Sequence, residues 1–351
     1  MKVLSNGVSF KEKVSKVNLI IKTFIFILLC SCSAQPVPEM KIKGVSFVAN
    51  RSPVDSTHVK PVKDLHANYA AVMPFGFIPE KDAPQIVYNT DRQWYGETKE
   101  GGRNYITQLH KGNINVMMKP QLWIRHGEFT GYLKMRTEED WLALEESYRV
   151  FIIEYAVLAQ EENTAIFCIG TELENFVSNR PEFWKQLIID IRKIYNGKLT
   201  YAANWDEYKR TPFWNQLDFI GVDAYFPVCD EETPSVACAR EGWKKWGGEL
   251  AAFAKAKDRK VIFTEFGYRS VDYTGREPWK ADRSMTGVNL QGQANATQAL
   301  LETVWQEEWM AGGFVWKWFI HHDEVGGEQN NQYTPQNKPA AEILRTYFER
   351  D

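Results

Sequence analysis

Eight short apolar runs separated by helix-like stretches constrain this chain more than any other feature. They are Gly44–Ala49, Tyr69–Met73, Ile114–Met118, Ala165–Ile169, Leu199–Ala203, Phe219–Val222, Val261–Thr264 and Gly313–Trp318. Most are continuous rather than alternating, as expected of parallel strands covered on both faces. The segments between them carry helix signals. Thr137-Glu138-Glu139-Asp140 is a capping-box-like start, and Trp141, Leu144, Tyr148, Phe151, Ile152 and Tyr155 then line one helical face. Pro181 opens a second such face, which Gly197 closes. Gln293–Trp309 and Ala340–Phe348 complete the pattern. Strands alternating with helices imply parallel neighbours joined by right-handed crossovers, and eight units imply a closed barrel. The expected fold is therefore α/β, a single (β/α)8 TIM barrel. The rival, an open doubly wound sheet, would carry a Gly-rich phosphate turn, and no such string is present. The 351 residues exceed the roughly 250 of one barrel. We assign the surplus to the N-terminus and to long loops at 74–104, 223–246 and 266–292, with no internal repeat and no second domain.

The N-terminus reads as an export signal. Lys2, Lys11, Lys13, Lys16 and Lys22 surround or precede the apolar stretch Thr23–Leu29, which is too short to span a bilayer. Leu29-Cys30-Ser31-Cys32 then resembles a bacterial lipobox with Cys32 as the lipidated residue; a plain signal peptide cut near Ala34 is the alternative. The expected organisation is a signal peptide over 1–31, a lipidated cysteine and tether over 32–42, and a catalytic barrel over 43–351. Such a protein is expected to be periplasmic or on the cell surface, to be monomeric, and to touch the membrane through its lipid alone. The formal net charge of -3 gives no basic bias toward nucleic acid. Beyond Cys32, Cys168 reads as a buried core thiol. Cys229 and Cys238 are placed either to close a loop disulfide in an oxidising compartment or to remain separate. No Cys/His spacing matches a zinc site, so neither metal nor cofactor is expected. His321-His322-Asp323-Glu324 is contiguous and lacks a distant third ligand, which favours a solvated or substrate-contacting loop.

Barrel enzymes build their sites at the C-terminal ends of the strands. Glu172 follows the fourth run and Glu265 the seventh, each directly after buried apolar sequence. Two carboxylates facing each other across a pocket are the minimum equipment for acid/base cleavage of a glycosidic bond. The same rim receives Arg51, Lys119-Pro120-Gln121-Leu122-Trp123, Asn204-Trp205-Asp206, Asp223-Ala224-Tyr225 and Trp316-Lys317-Trp318. The chain holds 13 Trp. Their rings serve either as core or as platforms for the apolar faces of sugars, and Trp123, Trp205 and Trp318 stay open between the two.

The strings GTELE, TEFGY, KPQLW and GVDAYFP, with the WKW strand end, resemble glycoside hydrolase family 113 of clan A. The resemblance spans residues 43–349. It implies endo-β-1,4-mannanase activity by a retaining double displacement, with Glu172 as acid/base and Glu265 as nucleophile. It also implies that Tyr225 bonds the nucleophile and that Trp316 floors the sugar site. Arg51 and Lys119 are candidate donors near the carboxylates. Much of the clan has asparagine before the acid/base; here Thr171 stands there, so Thr171 or Asn204 is the candidate for the sugar 2-hydroxyl. The polysaccharide could equally be xylan or glucan on loop and platform evidence. Two other classes compete. A non-catalytic glycan-binding lipoprotein on the same scaffold would be expected to lack one of the glutamates, and a metal-dependent barrel hydrolase needs clustered ligands at strand ends.

Overall fold

Strands β1 (Ile42–Phe47), β2 (Tyr69–Val72), β4 (Asn115–Met118), β6 (Ile166–Thr171), β7 (Lys198–Asn204), β8 (Ile220–Asp223), β9 (Val261–Phe266) and β10 (Met310–Trp318) close into one parallel barrel. The closure runs from β1 both to β2 and to β10. This is a computed structural model, which describes residues 40–281, 284 and 287–350. The expected export signal, with Cys30 and Cys32, lies outside the described residues.

Six of the outer helices follow barrel strands: α1 (Ser56–Asp64), α2 (Lys99–Lys111), α3 (Glu138–Glu161), α6 (Val236–Lys257), α7 (Leu290–Glu302) and α8 (Pro339–Arg350). Between β6 and β7 two helices take that place, α4 (Glu174–Asn179) and α5 (Pro181–Arg192). The caps follow the sequence signals. The Thr137 side chain accepts from the Asp140 amide at the start of α3, and Pro181 occupies the first turn of α5. The helix expected over 293–309 begins earlier and stops at Glu302. Thr303 leaves helical geometry at φ -117°, ψ -101°, and the chain turns into a long β10.

Alternation along the strands divides the core. Ile42, Ala71, Met117, Ile166, Ala202 and Phe314 fill the barrel interior with other inward residues, while the opposite faces pack against the helices. The outer core takes most of the aromatics. Trp184, Trp214, Trp243, Trp305 and Trp318 are fully buried. Part of the tryptophan excess is thus a packing feature.

Two strands escaped the sequence reading. Phe75–Ile78 (β3) and Gln121–Ile124 (β5) pair in parallel with each other above β2 and β4. Pro74 and Pro120 explain the separation. Proline offers no ladder N–H, so each barrel strand stops beside it and resumes beyond it. The junction stays tied, since the Gln121 amide donates to the Pro74 carbonyl at 2.9 Å. This small sheet carries the chain after Lys119 across the rim.

Candidate active site

At the C-terminal end of the barrel, β9 presents Glu265 to three donors. Lys119 Nζ bonds Oε1, Gln121 Nε2 donates to the same oxygen at 3.1 Å, and Tyr225 OH donates to Oε2 at 2.7 Å. All four residues are buried. Lys119 Nζ also lies 3.5 Å from Asp223 Oδ1, which accepts from Thr264 Oγ1 at 2.7 Å. A buried carboxylate is costly unless its charge is compensated and hydrogen-bonded, and Glu265 has both provisions. Burial alone would lower the Lys119 ammonium; the charges of Asp223 and Glu265 overcome that and hold it above its ordinary value. Asp223 Oδ2, by contrast, is buried with no partner. Burial first, then the Glu265 charge, push its carboxyl up to about 7, against the pull of Lys119.

Glu172 is built differently. A bulge between Cys168 and Thr171 interrupts the β6–β7 register just before it, and Glu172 itself adopts φ 51°. That left-handed geometry costs about 1 kcal/mol for a residue with a Cβ, and bulges re-aim strand ends. The backbone is clamped around it. The Glu172 amide donates to the Ala202 carbonyl at 2.8 Å, and Thr130 Oγ1 donates to the Glu172 carbonyl at 3.1 Å. Its carboxyl makes no hydrogen bond with the described residues, and the residue is only partly covered. Burial, followed by the negative charges of Asp223 and Glu265, holds that carboxyl well above the usual carboxylate range, with Lys119 opposing. One carboxylate is thus held by three donors, and the other lies among negative neighbours without a donor among the described residues. Divergent environments of this kind separate acid from nucleophile.

Lys119 and Tyr225 therefore sit on Glu265. Trp316 is half-buried at the end of β10, beside the segment that follows Glu265. Gly267 permits this approach: a Cβ there would lie 2.4 Å from the Trp316 carbonyl oxygen. Asn204 ends β7 opposite Asp223 in the ladder, and its Oδ1 accepts from the Trp205 amide at 2.8 Å. Thr171 Oγ1 is buried without a partner. Trp123 is about half exposed on β5, two residues past Gln121. Arg51 is exposed, and its guanidinium lies 5.4 Å from the Trp94 ring centroid, with no hydrogen bond to either carboxylate among the described residues. Trp318 is buried and stacks on His322 at 5.5 Å, which makes it packing. Trp205 stacks on Trp279 at 5.0 Å, and Trp279 is 40% exposed, so the pair forms a partly open aromatic surface. Glu174 begins α4 and pairs with Arg210, away from Glu265's donors.

Cys229 and Cys238 form a disulfide with Cα atoms 5.6 Å apart, and Cys168 is a buried free thiol. Among the described residues, the one cluster of metal-type donors is Cys229, Glu231 and Cys238, whose sulfurs are already bonded to each other. Gln121, Asp223 and Lys317 were placed on the rim by strand-end reading but given no role there. Gln121 had a signal: it shares the alternation of Lys119 two residues earlier. Lys317 had none in sequence. Burial lowers its ammonium, against the pull of Glu265.

A closed parallel barrel with two differently tuned carboxylates at the C-terminal ends of β6 and β9 defines a glycoside-hydrolase type of enzyme. The sequence pattern of Glycoside Hydrolase Family 113 matches residues 49–338, and the chain belongs to that family. It is a glycoside hydrolase. Among solved structures, it is similar to the GH113 β-mannanase from Alicyclobacillus acidocaldarius, at 22% identity and a TM-score of 0.78, over 88% of this chain and 97% of that one. A GH113 β-1,4-mannanase complex matches at 22% identity and a TM-score of 0.77, over 89% and 99%. A Faecalibacterium prausnitzii β-glucuronidase shares the barrel more distantly, at 14% identity and a TM-score of 0.59, over 89% of this chain and 49% of that one. No curated protein matches the chain significantly.

Proposed function

We propose that this protein is a retaining endo-β-1,4-mannanase in which Glu265 attacks and Glu172 transfers the proton. The carrying observation is the unequal treatment of the two carboxyls. Glu265 receives Lys119, Gln121 and Tyr225 as donors, while Glu172 is raised by burial and by neighbouring negative charge. In the first step Glu265 Oε bonds the anomeric carbon as the glycosidic C–O bond breaks, and Glu172 gives its proton to the departing oxygen. In the second, Glu172 takes a proton from water, which displaces Glu265 and regenerates both groups. Trp316 would lie beneath the reacting sugar, and Thr171 or Asn204 would meet its 2-hydroxyl.

Mannan as substrate is supported by the family and by the likeness to two β-mannanase structures. The test is hydrolysis of a polysaccharide panel with product sizing. Cleavage of β-1,4-mannan into a ladder of short oligosaccharides is expected. Exclusive release of monosaccharide, or turnover of xylan or glucan in preference to mannan, would overturn the assignment.

The anchor belongs to the same proposal. Cys32 would carry lipid and tether the barrel to a membrane. In cells fed a labelled fatty acid, the full chain should incorporate label and partition with membranes, and Cys32→Ser should do neither. Label retained in Cys32→Ser would place the modification elsewhere or reject it.

A further inference from the structure

Glu207 is a carboxylate that neither proposed step uses. It lies in the turn after β7, is 1% exposed, and makes no ion pair with the described residues. Such a group destabilises the fold unless its lone pairs are satisfied, and even then an apolar side chain would serve packing better. Both of its oxygens are engaged by neutral donors. Tyr201 OH donates to Oε1 at 2.7 Å, and the Asn204 amide donates to Oε2 at 3.0 Å. Tyr201 is itself fully buried, and its hydroxyl oxygen accepts from the Leu173 amide at 2.7 Å. Leu173 directly follows Glu172. The chain of contacts therefore runs from Glu207 through Tyr201 to the peptide on the C-terminal side of Glu172, and from Glu207's other oxygen to Asn204.

This relay meets a specific need. Glu172 sits at φ 51° past a bulge, a geometry the backbone would relax if released. Its amide is fixed by Ala202 and its carbonyl by Thr130. Among the described residues the next amide is fixed only by Tyr201, whose hydroxyl can accept because its own proton is committed to Glu207. The carboxyl of Glu172, without hydrogen bonds of its own among the described residues, takes its aim from this backbone.

We infer that Glu207 and Tyr201 form a buried positioning relay that aims Glu172 at the leaving-group oxygen. The inference rests on the reading of Glu172 as proton donor. Glutamine at 207 keeps the shape but cannot accept from both Tyr201 and Asn204, since its NH2 must face one of two donors.

The test compares two substrates in wild type, Glu207→Gln and Tyr201→Phe: β-1,4-mannan, whose leaving group must be protonated, and 2,4-dinitrophenyl β-mannobioside, whose leaving group departs unaided. The readout is kcat/KM, which reports events only through leaving-group departure. Both variants should lose about 10- to 100-fold on mannan, the scale of a misplaced catalytic group, and stay within about twofold on the aryl glycoside. Equal losses on both substrates would make the relay a plain fold element and overturn the inference. So would unchanged activity on mannan. A wild type that cleaves neither substrate would instead overturn the glycosidase mechanism on which the inference stands. Should Glu207→Gln fail to fold, Tyr201→Phe carries the same comparison.

Discussion

Glu265→Ala should abolish reducing-sugar release from β-mannan, with kcat down by about 10⁴-fold or more, the scale seen when a nucleophile is removed. Azide should then restore turnover of an activated mannobiosyl donor, and the product should be the glycosyl azide of inverted configuration. The small anion occupies the space left by the carboxylate and attacks once, so a single displacement replaces two. Retained activity in Glu265→Ala would remove Glu265 from the mechanism. The substitution also leaves Lys119 buried with only Asp223 at 3.5 Å as anionic partner. Breaking a buried pair costs about 3–5 kcal/mol, so thermal unfolding must be measured alongside. Glu265→Gln keeps the volume and separates the two effects: it should be equally inactive and more stable than the alanine variant.

Glu172→Ala should lower kcat/KM on mannan by roughly 10²- to 10⁴-fold, the usual share of general acid catalysis. On a dinitrophenyl glycoside, kcat/KM should be nearly unchanged, because that leaving group needs no proton. Azide should rescue here too, but with retained configuration, since Glu265 still forms the first bond. The pair of azide products thus distinguishes the two roles in one experiment. A pH profile adds a third check. Burial and neighbouring charge raise Glu172, so its protonated form persists above the ordinary carboxylate value of 4.5. The alkaline limb of activity on mannan should fall as pH rises through that raised value. The alkaline limb should vanish with the dinitrophenyl substrate. A limb already falling near pH 4.5 would contradict the environment described for Glu172.

The barrel was legible because its signal is local and repeated. Eight apolar runs and their helix caps are properties of neighbouring residues, and period and capping survive without any tertiary information. β3 and β5 were not legible. They are four-residue strands whose partner is each other across 46 positions of chain, and the prolines before them read as stops rather than as interruptions. The same distinction runs through the site. Glu172 and Glu265 could be found because each ends an apolar run and sits in a recognisable string. Arg51 was chosen by the same logic and faces solvent, since ending a strand says nothing about where the following turn directs a long side chain. Tryptophan was the least informative signal: five of its rings are wholly in the core.

From sequence alone came the strand count, the barrel, the family resemblance and the choice of Glu172 and Glu265 as candidates. Their unequal surroundings were decided only in three dimensions. Lys119, Gln121 and Tyr225 come from separate strands and turns to converge on Glu265, while Glu172 is turned by a bulge into a place with negative neighbours and no donor. A carboxyl's charge is set by what surrounds it in space. Chemically identical side chains can therefore be told apart as attacker and acid only once the chain has closed around them.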